Sequence, residues 1–182
     1  CGWYTVFEDD HGGGSRSSFA AEHPEYLQMD RNGVKMPNVV DFFFEGVREY
    51  KHKIIDEIVT FGLDGLLLDY ARHNAVPSGD ATSGIHRLGY NPEIVAAFKE
   101  KTGKDAFKID PADEEWLKFK AEPHTRFITE VRRKLKKVNQ DSELALMLWP
   151  VDYFTWAAID VPGLTEKGHI DMLTGMSVRY TF

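Results

Sequence analysis

The chain has 182 residues, 42% of them hydrophobic and 13% aromatic, enough to bury one sizeable core and consistent with one domain or part of one. Its formal net charge of -7 argues against a nucleic-acid partner, because phosphate contacts need lysine and arginine clustered on one face. No run approaches the roughly twenty apolar residues of a membrane span, and no signal peptide is visible. The single cysteine, Cys1, excludes an internal disulfide. It suits either the lipid-bearing first residue of an exported lipoprotein or a truncation point; truncation is the expectation, because a strand starts at once with no polar tether before it.

That first strand reads Trp3 to Phe7 and closes on Glu8, Asp9, Asp10 and His11. The tract Gly12-Gly13-Gly14-Ser15-Arg16-Ser17-Ser18 offers no apolar anchor, so a mobile loop from Glu8 to Ser18 is expected. A phosphate-binding loop is not, since no Lys-Ser or Lys-Thr follows and no helix opens behind it. After His23-Pro24-Glu25-Tyr26, a helix is predicted from about Val39 to Phe61. Val47, Tyr50, Ile54, Ile55, Ile58 and Phe61 form its apolar stripe; Lys51, Lys53, Asp56 and Glu57 take the wet side. Gly62 caps it. Then Leu66, Leu67 and Leu68 form an apolar run without a polar face, as in a parallel strand covered on both sides. Asp69, Arg72 and His73 fall at its C-terminal rim, where α/β folds place their sites.

The following loop carries a short helix with Asn91 as N-cap, Pro92 at the first position, Ile94, Val95 and Phe98 inward and Gly103 as the stop. A longer helix is predicted from Asp113 to Val138, with Trp116, Leu117, Phe127, Ile128, Val131 and Leu135 inward and a break or kink at Pro123. The basic run Arg132-Arg133-Lys134-Leu135-Lys136-Lys137 lies in its last turns, where cations complement the helix dipole and solvate the outer face. A third strand, Leu144 to Leu148, closes on Trp149, Pro150 and Asp152; a connection helical around Leu164 to Lys167 leads to a fourth near Ile170 to Leu173. Four parallel strands in sequential β-α order make about half of a (β/α)8 TIM barrel, whose usual size is about 250 residues. Left unpaired, the outer strands would expose backbone donors and acceptors. The expected fold is therefore α/β, an incomplete portion of a TIM barrel in a single domain over residues 1–182, with an open doubly wound sheet as the alternative.

Three strand ends bring acidic and aromatic residues to one rim. Glycosidic hydrolysis needs two carboxyl groups, one protonated and one ionised. Asp69 is the first candidate, held ionised by Arg72; Glu8, Asp9 and Asp152 are candidates for the second. Tyr70, Trp149 and Tyr153 offer flat faces for sugar rings, and Arg72, His73 and His11 offer polar contacts. The bland alternative is that Asp69 caps the next turn or pairs only with Arg72, and that Glu8 and Asp9 are ordinary loop acids. His11, His73 and His86 lack any metal-ligand spacing and no Gly-x-Ser-x-Gly elbow occurs, so neither a metal, a cofactor nor a serine nucleophile is expected.

In this order, His23-Pro24-Glu25-Tyr26, Val47-Arg48-Glu49-Tyr50, Phe61-Gly62-Leu63-Asp64-Gly65-Leu66-Leu67-Leu68-Asp69-Tyr70-Ala71-Arg72, Gly89-Tyr90, Phe98, Thr102-Gly103-Lys104-Asp105, Trp116 and Gly168-His169-Ile170-Asp171-Met172 resemble glycosyl-hydrolase-like group ten, bacterial glycoside hydrolases with a TIM-barrel catalytic domain. The resemblance implies a barrel acting on polysaccharide or cell-surface glycan, with Asp69 in the cleft. It also makes export to the periplasm or cell exterior one expectation, although the residues themselves leave the compartment open. Two positions depart from the group: Phe119-Lys120 stands where it usually has an arginine, and His73-Asn74 where its aspartate strand often ends with a proline. A glycan-binding barrel without a competent carboxylate pair is the alternative from another class.

Overall fold

The computed structural model describes residues 1–6, 16–69, 88–148 and 159–175. In chain order the elements are β1 (Gly2–Thr5), α1 (Ser18–Glu22), a 3-10 turn (Pro24–Tyr26), β2 (Leu27–Met29), β3 (Lys35–Val40), α2 (Glu45–Val59), β4 (Gly65–Asp69), α3 (Pro92–Thr102), α4 (Glu114–Val138), β5 (Glu143–Leu148), α5 (Val161–Glu166) and β6 (Met172–Gly175). Strands β1, β4, β5 and β6 lie side by side in that order, all parallel, each joined to the next by a helical crossover. This sequential β-α progression is part of a TIM barrel, as the apolar runs and their spacing predict.

The period of two divides the sheet's side chains between its faces. Leu66, Leu68, Leu144, Leu146 and Leu148 point to the helix layer and join Val47, Ile55 and Val59 of α2 and Phe127, Ile128, Val131 and Leu135 of α4 in one core. The register pairs Trp3 with Leu67, Leu67 with Ala145 and Ala145 with Met172, so these four share the opposite face. That is the inner face of the barrel arc, and it is open: Trp3 is 68% exposed and Met172 51%.

Local rules account for most element ends. Asp113 accepts the amides of Glu115 (2.9 Å) and Trp116 (3.2 Å), satisfying donors that the first turn of α4 leaves free. Gly103 ends α3 at φ 76° and Gly62 follows α2 at φ 63°, both left-handed conformations that a side chain would strain. Asp171 fastens three elements: it accepts the Leu144 amide at 2.8 Å and pairs with Arg132 of α4. Burial alone would raise the Asp171 carboxyl, but the Arg132 hydrogen bond and the Leu144 amide outweigh it and hold the group below its ordinary value.

The structure corrects several expectations. The predicted helix from Val39 starts instead at Glu45, because Lys35–Val40 is a strand antiparallel to Leu27–Met29. Asp41 stops that strand; its Oδ1 accepts the Phe43 amide at 2.9 Å in a local turn that competes with helix. Lys51, expected in water, is only 2% exposed, because it falls on the Val47-Lys51-Ile55-Val59 row and its ammonium lies 5.2 Å from the Tyr50 ring centroid. Phe61, expected in the stripe, lies beyond the helix end and is 73% exposed.

Pro123 does not break α4, which is assigned as one helix of 25 residues. Its two halves are anchored separately, Trp116 and Phe119 in a second small core and Phe127 to Leu135 in the main one. The tract expected to be loose already orders at its end, where Ser17 Oγ caps α1 by accepting the Ala20 amide at 3.0 Å. The rest of that expected mobile loop lies outside the described residues. The basic run is not simply solvated either: Arg132 pairs with Asp171, Lys134 with Asp56, and Lys136 donates to the Gln140 carbonyl.

Candidate active site

Asp69 ends β4. Leu66 and Leu68 are drawn into the helix layer, and strict alternation then turns Leu67 and Asp69 to the inner face. The backbone around Asp69 is fixed, because the Val6 amide donates to its carbonyl at 2.8 Å and the strand pairs with β1 on one side and β5 on the other. The residue is 3% exposed. Its Oδ2 accepts a hydrogen bond of 3.1 Å from Nε1 of Trp3, which stands on the neighbouring strand one inward-facing layer lower.

The remaining candidates lie outside the described residues: Glu8, Asp9 and His11 after β1, Tyr70, Arg72 and His73 after β4, and Trp149, Asp152 and Tyr153 after β5. The described strand ends from which those three segments continue, at Thr5, Asp69 and Leu148, belong to adjacent strands. Neighbouring strands are about 4.8 Å apart, so these three strand ends lie close together on one rim of the sheet.

Above the sheet's C-terminal end, the first two strand-to-helix connections are tied into a rim that the sequence did not reveal. The β2–β3 hairpin receives Leu88 in a bridge with Asp30, and the Tyr90 amide donates to the Met29 carbonyl at 3.0 Å. Asn91 precedes α3 as expected, but its side chain makes no helix cap. It reaches across 64 residues of sequence, donating to the Leu27 carbonyl at 2.8 Å and accepting the Met29 amide at 3.0 Å. Tyr90, Ile94, Phe98, Ala106, Trp116 and Phe119 form the apolar floor of this rim.

Between rim and helices lies a buried polar group of Asp41, Lys120 and His124. Lys120 Nζ donates to the Leu88 carbonyl at 3.3 Å, and the Arg48 guanidinium donates to the Phe43 carbonyl at 2.6 Å. Burial pushes the Asp41 carboxyl up to about 6, against the opposing pull of the Phe43 amide and Lys120. It pushes the Lys120 ammonium down to about 7, against the attraction of Asp41, and His124 down to about 4. Lysine at helical spacing reads as a wet-face residue, but here the Leu88 carbonyl, the Asp41 carboxyl and the Trp116 ring, 5.1 Å from the ammonium, surround it in the core.

Among the described residues, cavities also lie away from Asp69. A groove of about 720 Å³ follows the outer side of α4, between Arg126, Arg133, Lys167 and His169. An apolar one of about 380 Å³ lies between the hairpin tip and α3, against Tyr90 and Phe107. Among the described residues no three histidine, cysteine or carboxylate side chains stand together as metal ligands, and no helix is long and apolar enough to cross a membrane.

No family model matches the sequence, and no curated protein matches it. Solved structures do match the fold. The catalytic domain of a beta-amylase from Paenibacillus polymyxa superposes with a TM-score of 0.63 at 9% identity, over 93% of this chain and 58% of that one. A beta-galactosidase from the haloarchaeon Halorubrum lacusprofundi gives 0.61 at 11% identity, over 88% of this chain and 28% of that one. The beta-galactosidase from Marinomonas ef1 gives 0.61 at 13%, over 90% and 29%. The chain thus spans from under a third to somewhat over half the length of these proteins, and what it shares with them is the arc of a TIM barrel.

Proposed function

We propose that the chain is part of a glycoside hydrolase of TIM-barrel type, related to glycosyl-hydrolase-like group ten, that cleaves O-glycosidic bonds of a polysaccharide or cell-surface glycan. The observation that supports this best is the position of Asp69, a carboxylate on the inner face at the C-terminal end of a central parallel strand. Barrel enzymes set their catalytic groups at that end. The likeness to beta-amylase and beta-galactosidase structures agrees with it.

In this reading Asp69 works with a second carboxyl group from Glu8, Asp9 or Asp152. One of the pair gives a proton to the leaving oxygen as the bond to the anomeric carbon breaks. The other either bonds to that carbon, with water later releasing the sugar, or takes the proton of an attacking water. A separation of about 5–5.5 Å between the two groups gives retention, and about 6.5–9.5 Å gives inversion. Tyr70, Trp149 and Tyr153 stack on sugar faces, and Arg72, His73 and His11 contact hydroxyl groups. No metal or cofactor takes part.

The test is a product assay of the full-length protein on a panel of glycans, with Asp69→Asn in parallel. Released reducing ends from the wild type and none from the variant support the proposal. Glycan binding without turnover would replace it with a glycan-binding barrel.

A further inference from the structure

We propose that Trp3 is a positioning residue for Asp69: its indole N–H holds Oδ2 and favours the ionised carboxylate, which assigns Asp69 the part of nucleophile or general base and leaves the acid's part to the second carboxyl group. The inference rests on the glycoside hydrolase reading of the same site and goes beyond it by fixing which role Asp69 takes.

Geometry carries the argument. Trp3 and Asp69 are 66 residues apart in sequence, yet the parallel register of β1 and β4 pairs Trp3 with Leu67 and Thr5 with Asp69. Trp3 therefore sits one inward-facing layer below the carboxylate and reaches it from beneath, at 3.1 Å from Nε1 to Oδ2. An indole nitrogen can only donate. A hydrogen bond to an ionised acceptor is about twice as strong as one to a neutral acceptor, so this contact stabilises the carboxylate more than the acid.

That preference matters because Asp69 is 3% exposed, and burial by itself favours the protonated form. The two carboxyl groups of a glycosidase need environments that push them apart in protonation, and the Trp3 donor supplies one half of that difference.

The experiment uses the full-length protein with carbon-13 in its aspartate carboxyl groups, the Asp69 resonance being assigned through Asp69→Asn. Trp3→Phe keeps an aromatic ring and removes only the donor. Its Asp69 carboxyl should titrate at higher pH than in the wild type, and the acid limb of kcat/KM on a hydrolysed glycoside should move up with it. In the unmutated protein, the Trp3 Nε1 proton resonance should shift with the same midpoint as the Asp69 carboxyl, and Asp69→Asn should abolish that shift. This measurement decides the matter even where Trp3→Phe fails to fold. An Asp69 midpoint unchanged in Trp3→Phe, or a Trp3 resonance indifferent to Asp69, overturns the assignment. Absence of hydrolysis together with the expected titration would overturn the glycosidase reading and keep the contact; hydrolysis with no titration shift would do the reverse.

Discussion

At the scale of single residues, the chain separates a carboxylate suited to chemistry from charges that belong to the fold. Asp69→Asn should abolish hydrolysis of any glycan the wild type cleaves, and the folded state should persist, since the amide can still accept from Trp3. Loss of the circular dichroism spectrum with that change would mean that Asp69 serves the fold. Lys120 is of the second kind. Unfolded, it keeps its proton to about 10.5, whereas in the folded chain it loses it near 7. The unfolded state therefore binds more protons between those values, and stability contributed through Lys120 rises with pH across that window. It is lost as the pH falls through about 7. Asp41 has the opposite sign: held at about 6 against an ordinary 3.8, it makes the folded state the better proton binder and lowers stability as pH rises between them. His124, at about 4 against 6.5, raises stability over nearly the same window and offsets Asp41. Urea unfolding at pH 7 and 9.5 should thus show the wild type gaining stability, with the gain reduced in Lys120→Met. An equal gain in both would remove Lys120 as its source.

Between elements, Asn91 matters more as a tie than as a helix cap. It satisfies one carbonyl and one amide of β2, and so holds the hairpin of the first connection against the helix of the second. Asn91→Ala leaves both backbone groups without that partner, at a cost of about 1–3 kcal/mol in chemical denaturation. Asn91→Asp can still accept the Met29 amide but sets a carboxylate against the Leu27 carbonyl, so it should not restore the wild-type midpoint. Recovery in Asn91→Asp would show that only the amide contact counts. The same tie explains the position of α4, whose first half packs on the rim and whose second half packs on the sheet. A helix held at both ends tolerates Pro123, although an interior proline removes one hydrogen bond.

For the whole molecule, the open inner face sets the behaviour. In a closed barrel, side chains from eight strands fill the interior in layers. Here four parallel strands present Trp3 and Met172 to water, with Leu67 and Met147 beside them. The outer strands β1 and β6 each pair on one side only among the described residues. The 182-residue chain expressed alone should therefore self-associate through that face and those edges, with a sedimentation coefficient that rises with concentration. A monomeric product of 20.8 kDa that unfolds in one cooperative step would mean that the chain covers its own inner face.

Elements whose signals are local were legible in the chain. Three leucines before Asp69, the glycines after two helices and the spacing of the apolar runs were enough for the parallel sheet, the barrel class and the end of the strand on which Asp69 lies. Period and capping are carried by neighbours in the chain, so they are legible there. The hairpin, the burial of Lys51 and Lys120, the reach of Asn91 and the bond from Trp3 to Asp69 were not, because each depends on a partner dozens of residues away in sequence. Lys120 reads as a solvated cation until the Leu88 carbonyl stands above it, and Trp3 reads as the opening of a strand until the register brings its indole under Asp69. These followed from the folded arrangement, since side-chain environment depends on which strands pair and in what register, and that pairing is a long-range property of the chain.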